Sequence, residues 1–230
     1  MLQPTDAEWQ AISLSLRVAL VSVAASLPLG IAFAWLLARR RFPGRVLVEG
    51  LVHLPLVVPP VVVGYGLLLL FGRRGILGAW LYEHFGISVI FTWKGAALAA
   101  AVMSFPLMVQ AIRLSIEAVD RKLEAAARSL GAGPVDVFFT VTIPLTMPGI
   151  LAGAVLAFAR SLGEFGATIV FVGNIPGQTR TIPIAIYTLT QQPGGDAAAL
   201  RLSLIALVLA FIALIASESV SRRIQARARG

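Results

Sequence analysis

Two charges sit where charge is least welcome. Arg160 and Glu164 lie inside an otherwise apolar run, four residues apart and therefore on one face of a helix. An isolated ion at membrane depth costs about 3 kcal/mol, so the two are expected to pair with each other or to face a water-filled path. They are candidates for lining or gating such a path; a buried pair that locks helix packing is the other reading. A second unusual stretch, His53 to Gly66, carries Pro55, Pro59, Pro60, Gly64 and Gly66 inside an apolar run. A helix broken there frees backbone amides and carbonyls, which is tolerated only against protein or a water-lined cavity. Pro59 and Pro60 complete the candidate gate, with close helix approach at Gly64 and Gly66 as the alternative. A third stretch, residues 173–196, offers Asn174, Gln178, Thr179, Arg180 and Thr181, which could contact a dianion or the protein that delivers one. Catalytic sets are missing from the sequence. It has no Cys, no glycine-rich phosphate loop ending in Gly-Lys-Ser/Thr, no His-Glu-x-x-His and no carboxylate cluster for a metal. His53 and His84 stand alone.

The elements that must hold these residues follow from composition. Of 230 residues 58% are hydrophobic and only 13% charged, too apolar for a domain with a polar shell. A bilayer needs about 20 apolar residues per helix, and lipid-exposed backbone must satisfy its own hydrogen bonds. The pattern predicts an all-α integral membrane protein with five transmembrane helices, at about residues 15–38, 50–72, 93–113, 147–172 and 201–220, in one domain covering 1–230. Pro28 and Gly30 should loosen the first span. Thr181 to Thr190 is too short to cross and reads as a loop helix or re-entrant piece. The residues before the first span lack a basic region, so no cleaved signal peptide is expected. A net charge of +8 raises nucleic acid as a partner, but the basic residues fall in short clusters between apolar runs, which is a topology signal instead. Arg39, Arg40, Arg41 and Arg45, then Arg113, Arg121, Lys122 and Arg128, then the tail Arg222, Arg223, Arg227 and Arg229, share one side if five spans alternate. That places the N-terminus outside and the C-terminus inside, with the tail as an anchor near anionic lipid. Five spans enclose little space, so a second copy is expected beside the first.

The connection 117–146 is the most informative segment. Strong helix formers run to a stop at Gly131, and Pro134 opens a short second helix, Val135 to about Thr140, carrying the rings of Phe138 and Phe139. Pro144 and Pro148 are expected to reset the chain direction before the fourth span. A helix, a glycine break and a short apolar helix make a knob that fits a groove on a partner. An amphipathic segment dipping into lipid headgroups is the other reading.

These residues resemble the EAA loop of ATP-binding-cassette (ABC) importer permeases, through Ala126, Ala127, Gly131, Ile143 and Pro144. The motif's glutamate position falls on Ala125, and Glu124 stands one place earlier. Residues 53–65, 158–168 and 173–183 are similar to molybdate permeases, and the second of these runs is similar to sulfate permeases too. The resemblance implies a type I ABC importer permease for molybdate in the bacterial cytoplasmic (inner) membrane, with cytoplasmic coupling helices. It implies ATPase coupling through Glu124, Ala126, Ala127, Gly131, Val135, Phe138, Phe139 and Pro144. The chain itself would be a non-catalytic translocation subunit without a cofactor, working as a homodimer by alternating access. Two cytoplasmic ABC ATPase subunits would bind ATP and Mg2+, and a periplasmic or extracellular oxyanion-binding protein would deliver the cargo. Tungstate and sulfate are alternative cargoes. A secondary anion transporter is the rival class, with Glu164 as its support, and an intramembrane enzyme would need a nucleophile or metal set that the sequence does not offer.

Overall fold

The computed structural model describes residues 5–229, and within them every regular element is helical. The side chains of the tail arginines, Arg222, Arg223, Arg227 and Arg229, lie outside the described residues, and so does any anchoring role for them. Helix α1 (Asp6–Arg39) starts at a capping box. The Thr5 hydroxyl accepts from the Glu8 amide at 3.4 Å, and the Glu8 carboxylate accepts from the Thr5 amide at 2.6 Å. The buried Glu8 also pairs with Arg201 at 2.6 Å, which ties the start of α1 to α11 (Asp196–Arg229). Pro28 lies within α1, and the helix continues through it.

The run expected at 50–72 is two helices, α2 (Arg45–Val57) and α3 (Pro60–Phe71), with a bend of 115° between them. Tandem prolines explain the break. A residue before proline avoids the helical region, and Val58 and Pro59 are both extended, with ψ of 137° and 135°. Pro60 then opens α3 at a position where its missing amide costs nothing. His84 lies on helix α4 (Ile76–Phe85), where its Nδ1 is 3.0 Å from the Trp80 carbonyl; Gly86, at φ +65°, ends the helix.

Helix α5 (Trp93–Ala118) is the central element, with Ala96, Ala99, Ala100, Met108, Val109, Ile112 and Ile116 fully buried. Small residues let its neighbours approach closely. A Cβ on Gly149 would lie 2.0 Å from the Cβ of Ser115, so no larger residue fits between α5 and α8 (Ile143–Leu162).

Between them run α6 (Arg121–Ser129), capped by the Asp120 carboxylate, and α7 (Pro134–Val137). A five-residue π-helical turn, Phe138–Thr142, joins α7 to α8. The expected change of direction at Pro144 and Pro148 does not occur: Pro134–Leu162 is one helical run of 29 residues. The wide turn is the physical reason at Pro144. In it Ile143 donates to the Phe138 carbonyl, five residues back, and such i→i+5 turns open a helix just where a proline removes the ordinary donor.

Helix α8 ends at Leu162, and the chain resumes as α9 (Gly166–Val172) and α10 (Ile182–Thr190). Among the described residues four helices are long and apolar enough to cross a bilayer, and a fifth crossing follows if α2 and α3 form one bent span. Leu204, Leu207, Val208, Phe211 and Ile212 stand exposed along α11, a face suited to lipid or another apolar surface.

Candidate functional site: a mid-helix break and the elbow between α5 and α8

At the end of α8 the chain turns through Gly163, and the Glu164 amide bonds back to the Ser161 carbonyl at 3.2 Å. The Glu164 side chain is 2% exposed. Its Oε1 accepts from the Ala167 amide at 2.9 Å, satisfying an orphan donor at the start of α9. Its Oε2 lies 2.8 Å from the Arg160 Nη1, in ion-pair contact without hydrogen-bond geometry. The paired reading of these charges is therefore realised, and Glu164 holds the helix restart besides. Arg160 keeps 29% of its side chain exposed.

The break has company. A Cβ on Gly166 would sit 2.8 Å from the Pro60 Cβ, and one on Gly64 would sit 2.5 Å from the Ala167 carbonyl oxygen. The interrupted α2–α3 pair and the interrupted α8–α9 pair thus abut, and Pro60, Arg160 and Glu164 share one neighbourhood, with Pro59 at its edge. Ser161 meets Ser22 at 3.0 Å, near the middle of the 34-residue α1, which sets the break about halfway along a span.

The elbow formed by α6, α7 and the π turn is held from beneath. Glu124 is the one buried residue of α6. Its Oε1 accepts from Arg39 Nε at 3.1 Å and from the Thr142 hydroxyl at 3.1 Å, and Arg39 Nη2 donates to the Val119 carbonyl at 3.1 Å. The two charged side chains are only 8% and 10% exposed. Phe138 and Phe139, expected to project together, touch edge to face at 5.1 Å but differ in how far they are covered. Phe138 meets Trp35 of α1 edge to face at 5.8 Å, whereas Phe139 is 62% exposed. The free apolar surface of the elbow includes Phe139, Val135, Leu123 and Leu130, the last 89% exposed. Ala126, Gly131 and Pro144 are exposed on the same segment and Ala127 is half-buried.

Sequence reasoning missed Arg39, Thr142, Trp35 and Leu130 as members of this site. Leu130 was within reach, as a leucine standing between a polar helix and its glycine stop. Arg39 reads as one arginine of a cluster, and only the fold separates it from Arg40 and Arg41.

The loop after α9 is stapled to itself. The Thr179 hydroxyl accepts from the Ile175 amide at 2.8 Å and donates to the Gly173 carbonyl at 3.2 Å, while Arg180 Nε donates to Asn174 Oδ1 at 2.7 Å. Thr179 and Thr181 are buried, so the exposed polar groups of this loop are Asn174 and Gln178.

Comparison with known proteins agrees with this architecture. Residues 26–226 match the family described as "Binding-protein-dependent transport system inner membrane component". The chain is 63% identical over 224 residues to the molybdenum transport system permease protein ModB of Escherichia coli K12, covering 97% of this chain and 98% of that one. It is 57% identical to the ModB protein of Haemophilus influenzae, with 95% of each chain covered. Among solved structures, a bacterial alginate ABC transporter in complex with an alginate pentasaccharide-bound periplasmic protein aligns at TM-score 0.76 and 20% identity, over 97% of this chain and 81% of that chain, a likeness of fold alone. An all-helical chain with four to five membrane-crossing helices, matched by that family over nearly its whole length, belongs to the inner membrane components of binding-protein-dependent transport systems.

Proposed function

We propose that this chain is the translocation subunit of an ABC importer for molybdate. The observation that carries the cargo is its likeness, end to end, to molybdenum transport permease proteins. In this reading two copies form the pathway, with the N-terminus outside and the C-terminus inside. Two ATPase subunits hold ATP and Mg2+ and grip the elbow at Leu130, Val135 and Phe139, an apolar knob fixed from beneath by Glu124 and Arg39. A solute-binding protein docks at the opposite end, where Asn174 and Gln178 are exposed. Closure of the ATPases moves the elbows together and opens the spans outward, and hydrolysis returns them. ATP and the loaded binding protein must each favour the outward state for the cycle to couple. Arg160 is placed to meet an anion in transit, while affinity resides in the binding protein, because a permease must release what it conducts.

The test is the ATPase rate of the reconstituted complex with binding protein loaded with molybdate, tungstate or sulfate. Molybdate is expected to stimulate most. Equal stimulation by all three, or by none, overturns the cargo assignment.

A further inference from the structure

The turn joining α1 to α2 carries more positive charge than its neighbours neutralise. Arg39 is taken up by Glu124, and the acids nearest the turn, Glu49 and Glu117, both pair with Arg113. The Asp120 carboxylate caps α6. Arg40, Arg41, Arg45 and Arg121 form no ion pair among the described residues, and they line a cleft of about 850 Å³ between the turn and the end of α5. Arg40 rests over the Trp35 ring at 5.3 Å, and the Arg45 Nε is buried with no hydrogen-bond partner.

Further along α2 the surface changes character. Val48, Val52 and Pro55 follow Arg45 at helical spacing and so share its face. With Leu29 and Phe33 of α1 and Phe105 of α5 they line an apolar groove of about 650 Å³. Beside the cleft, Val46 and Leu47 are 85% and 68% exposed. A basic cleft and an apolar groove stacked along one helix face match the two ends of an anionic phospholipid. An acidic segment of another protein would answer the cleft and leave the groove empty. A second copy of this chain would fill the groove but brings a net charge of +8 of its own.

We propose that the α1–α2 turn holds one anionic phospholipid, its phosphate among Arg40, Arg41 and Arg45 and an acyl chain along the groove. The site lies against Arg39, so an occupied site braces the turn from which the Glu124 contact is made.

The test uses the assembled transporter in phosphatidylcholine nanodiscs doped with phosphatidylglycerol, with native mass spectrometry counting the phosphatidylglycerol retained after release. Removing both charges in Arg41→Gln/Arg45→Gln should weaken retention about 25-fold, at about fivefold per arginine. Arg41→Lys/Arg45→Lys should retain the lipid, and Val48→Trp, which fills the groove and leaves every charge in place, should lose it. Unchanged retention in the glutamine variant overturns the proposal. So does retention unaffected by Val48→Trp together with displacement by inorganic phosphate, which would make the cleft a site for free anions. Dissociation of permease copies by Val48→Trp, or of the ATPase by the glutamine variant, with the lipid count unmoved, would assign the surface to a protein instead.

Discussion

Replacing Glu124 with leucine tests whether the elbow is pinned to α1 by a buried ion pair. The Arg39 side chain is 8% exposed, and after the substitution only the Val119 carbonyl would remain to it. Removing one partner of such a pair costs 3–5 kcal/mol, and the surviving carbonyl bond argues for the lower end, about 3 kcal/mol. The cost falls on the elbow, because Arg39 regains water only if α6 lifts away. Hydrogen exchange of amides 121–129 in the reconstituted complex should therefore quicken about 100-fold. The decisive comparison is the double variant Arg39→Leu/Glu124→Leu. A buried pair replaced by apolar residues of similar volume is often neutral, so the double variant should recover most of the protection lost in the single one. Exchange unchanged in Glu124→Leu, or losses that simply add in the double variant, would show that the pair does not hold the elbow.

Two further outcomes follow from the geometry. Phe138→Ala removes the edge contacts with both Trp35 and Phe139 and should loosen the elbow by at least about 1 kcal/mol, whereas Phe139→Ala removes only the second, should cost less, and yet should lower transport per ATP hydrolysed; equal behaviour of the two variants refutes their separation into anchor and knob. Glu164→Gln keeps an oxygen for the Ala167 amide and loses only the ion pair, so thermal unfolding in detergent should find it more stable than Glu164→Ala by about 1 kcal/mol, the worth of a helix cap, and identical melting would remove the capping role.

The sequence pattern made the class of fold legible, because uncharged runs and tandem prolines act locally. It placed the pair Arg160 and Glu164 on one helix face, and that pairing is local too. What stayed hidden needed partners far apart in the chain. Nothing near Gly166 says that Pro60 will press against it, and nothing near Glu124 points to Arg39, 85 positions earlier. The expected break at Pro144 fails for a different reason: a π turn, one residue wider than an α turn, admits a proline that an ordinary helix would reject, and α8 continues through Pro148 as α1 does through Pro28. The split between Phe138 and Phe139 has the same root, since adjacent helical residues point about 100° apart and only the position of Trp35 decides which of them is covered.

These contacts make the elbow and the mid-helix break two ends of one body. The elbow is continuous with α5 on one side and with α8 on the other, and Gly149 and Gly153 let those helices touch along their length. A push on Phe139 or Leu130 therefore cannot be absorbed by bending α8 alone, because α5 splints it. Arg39 brings α1 into the same unit through Glu124, and Ser22 meets Ser161 at the far end. Along α8 helical hydrogen bonding first stops at Gly163 to Phe165, beside the α2–α3 bend. Under the proposed function, motion entering at the elbow would reach the point where Glu164 caps α9 and Arg160 is partly open, and displacement there would alter the contact between two interrupted helices whose backbones already touch. A gate driven in this way needs a rigid lever and a soft joint in series, and α8 splinted by α5 and ending at Gly163 would serve as the two.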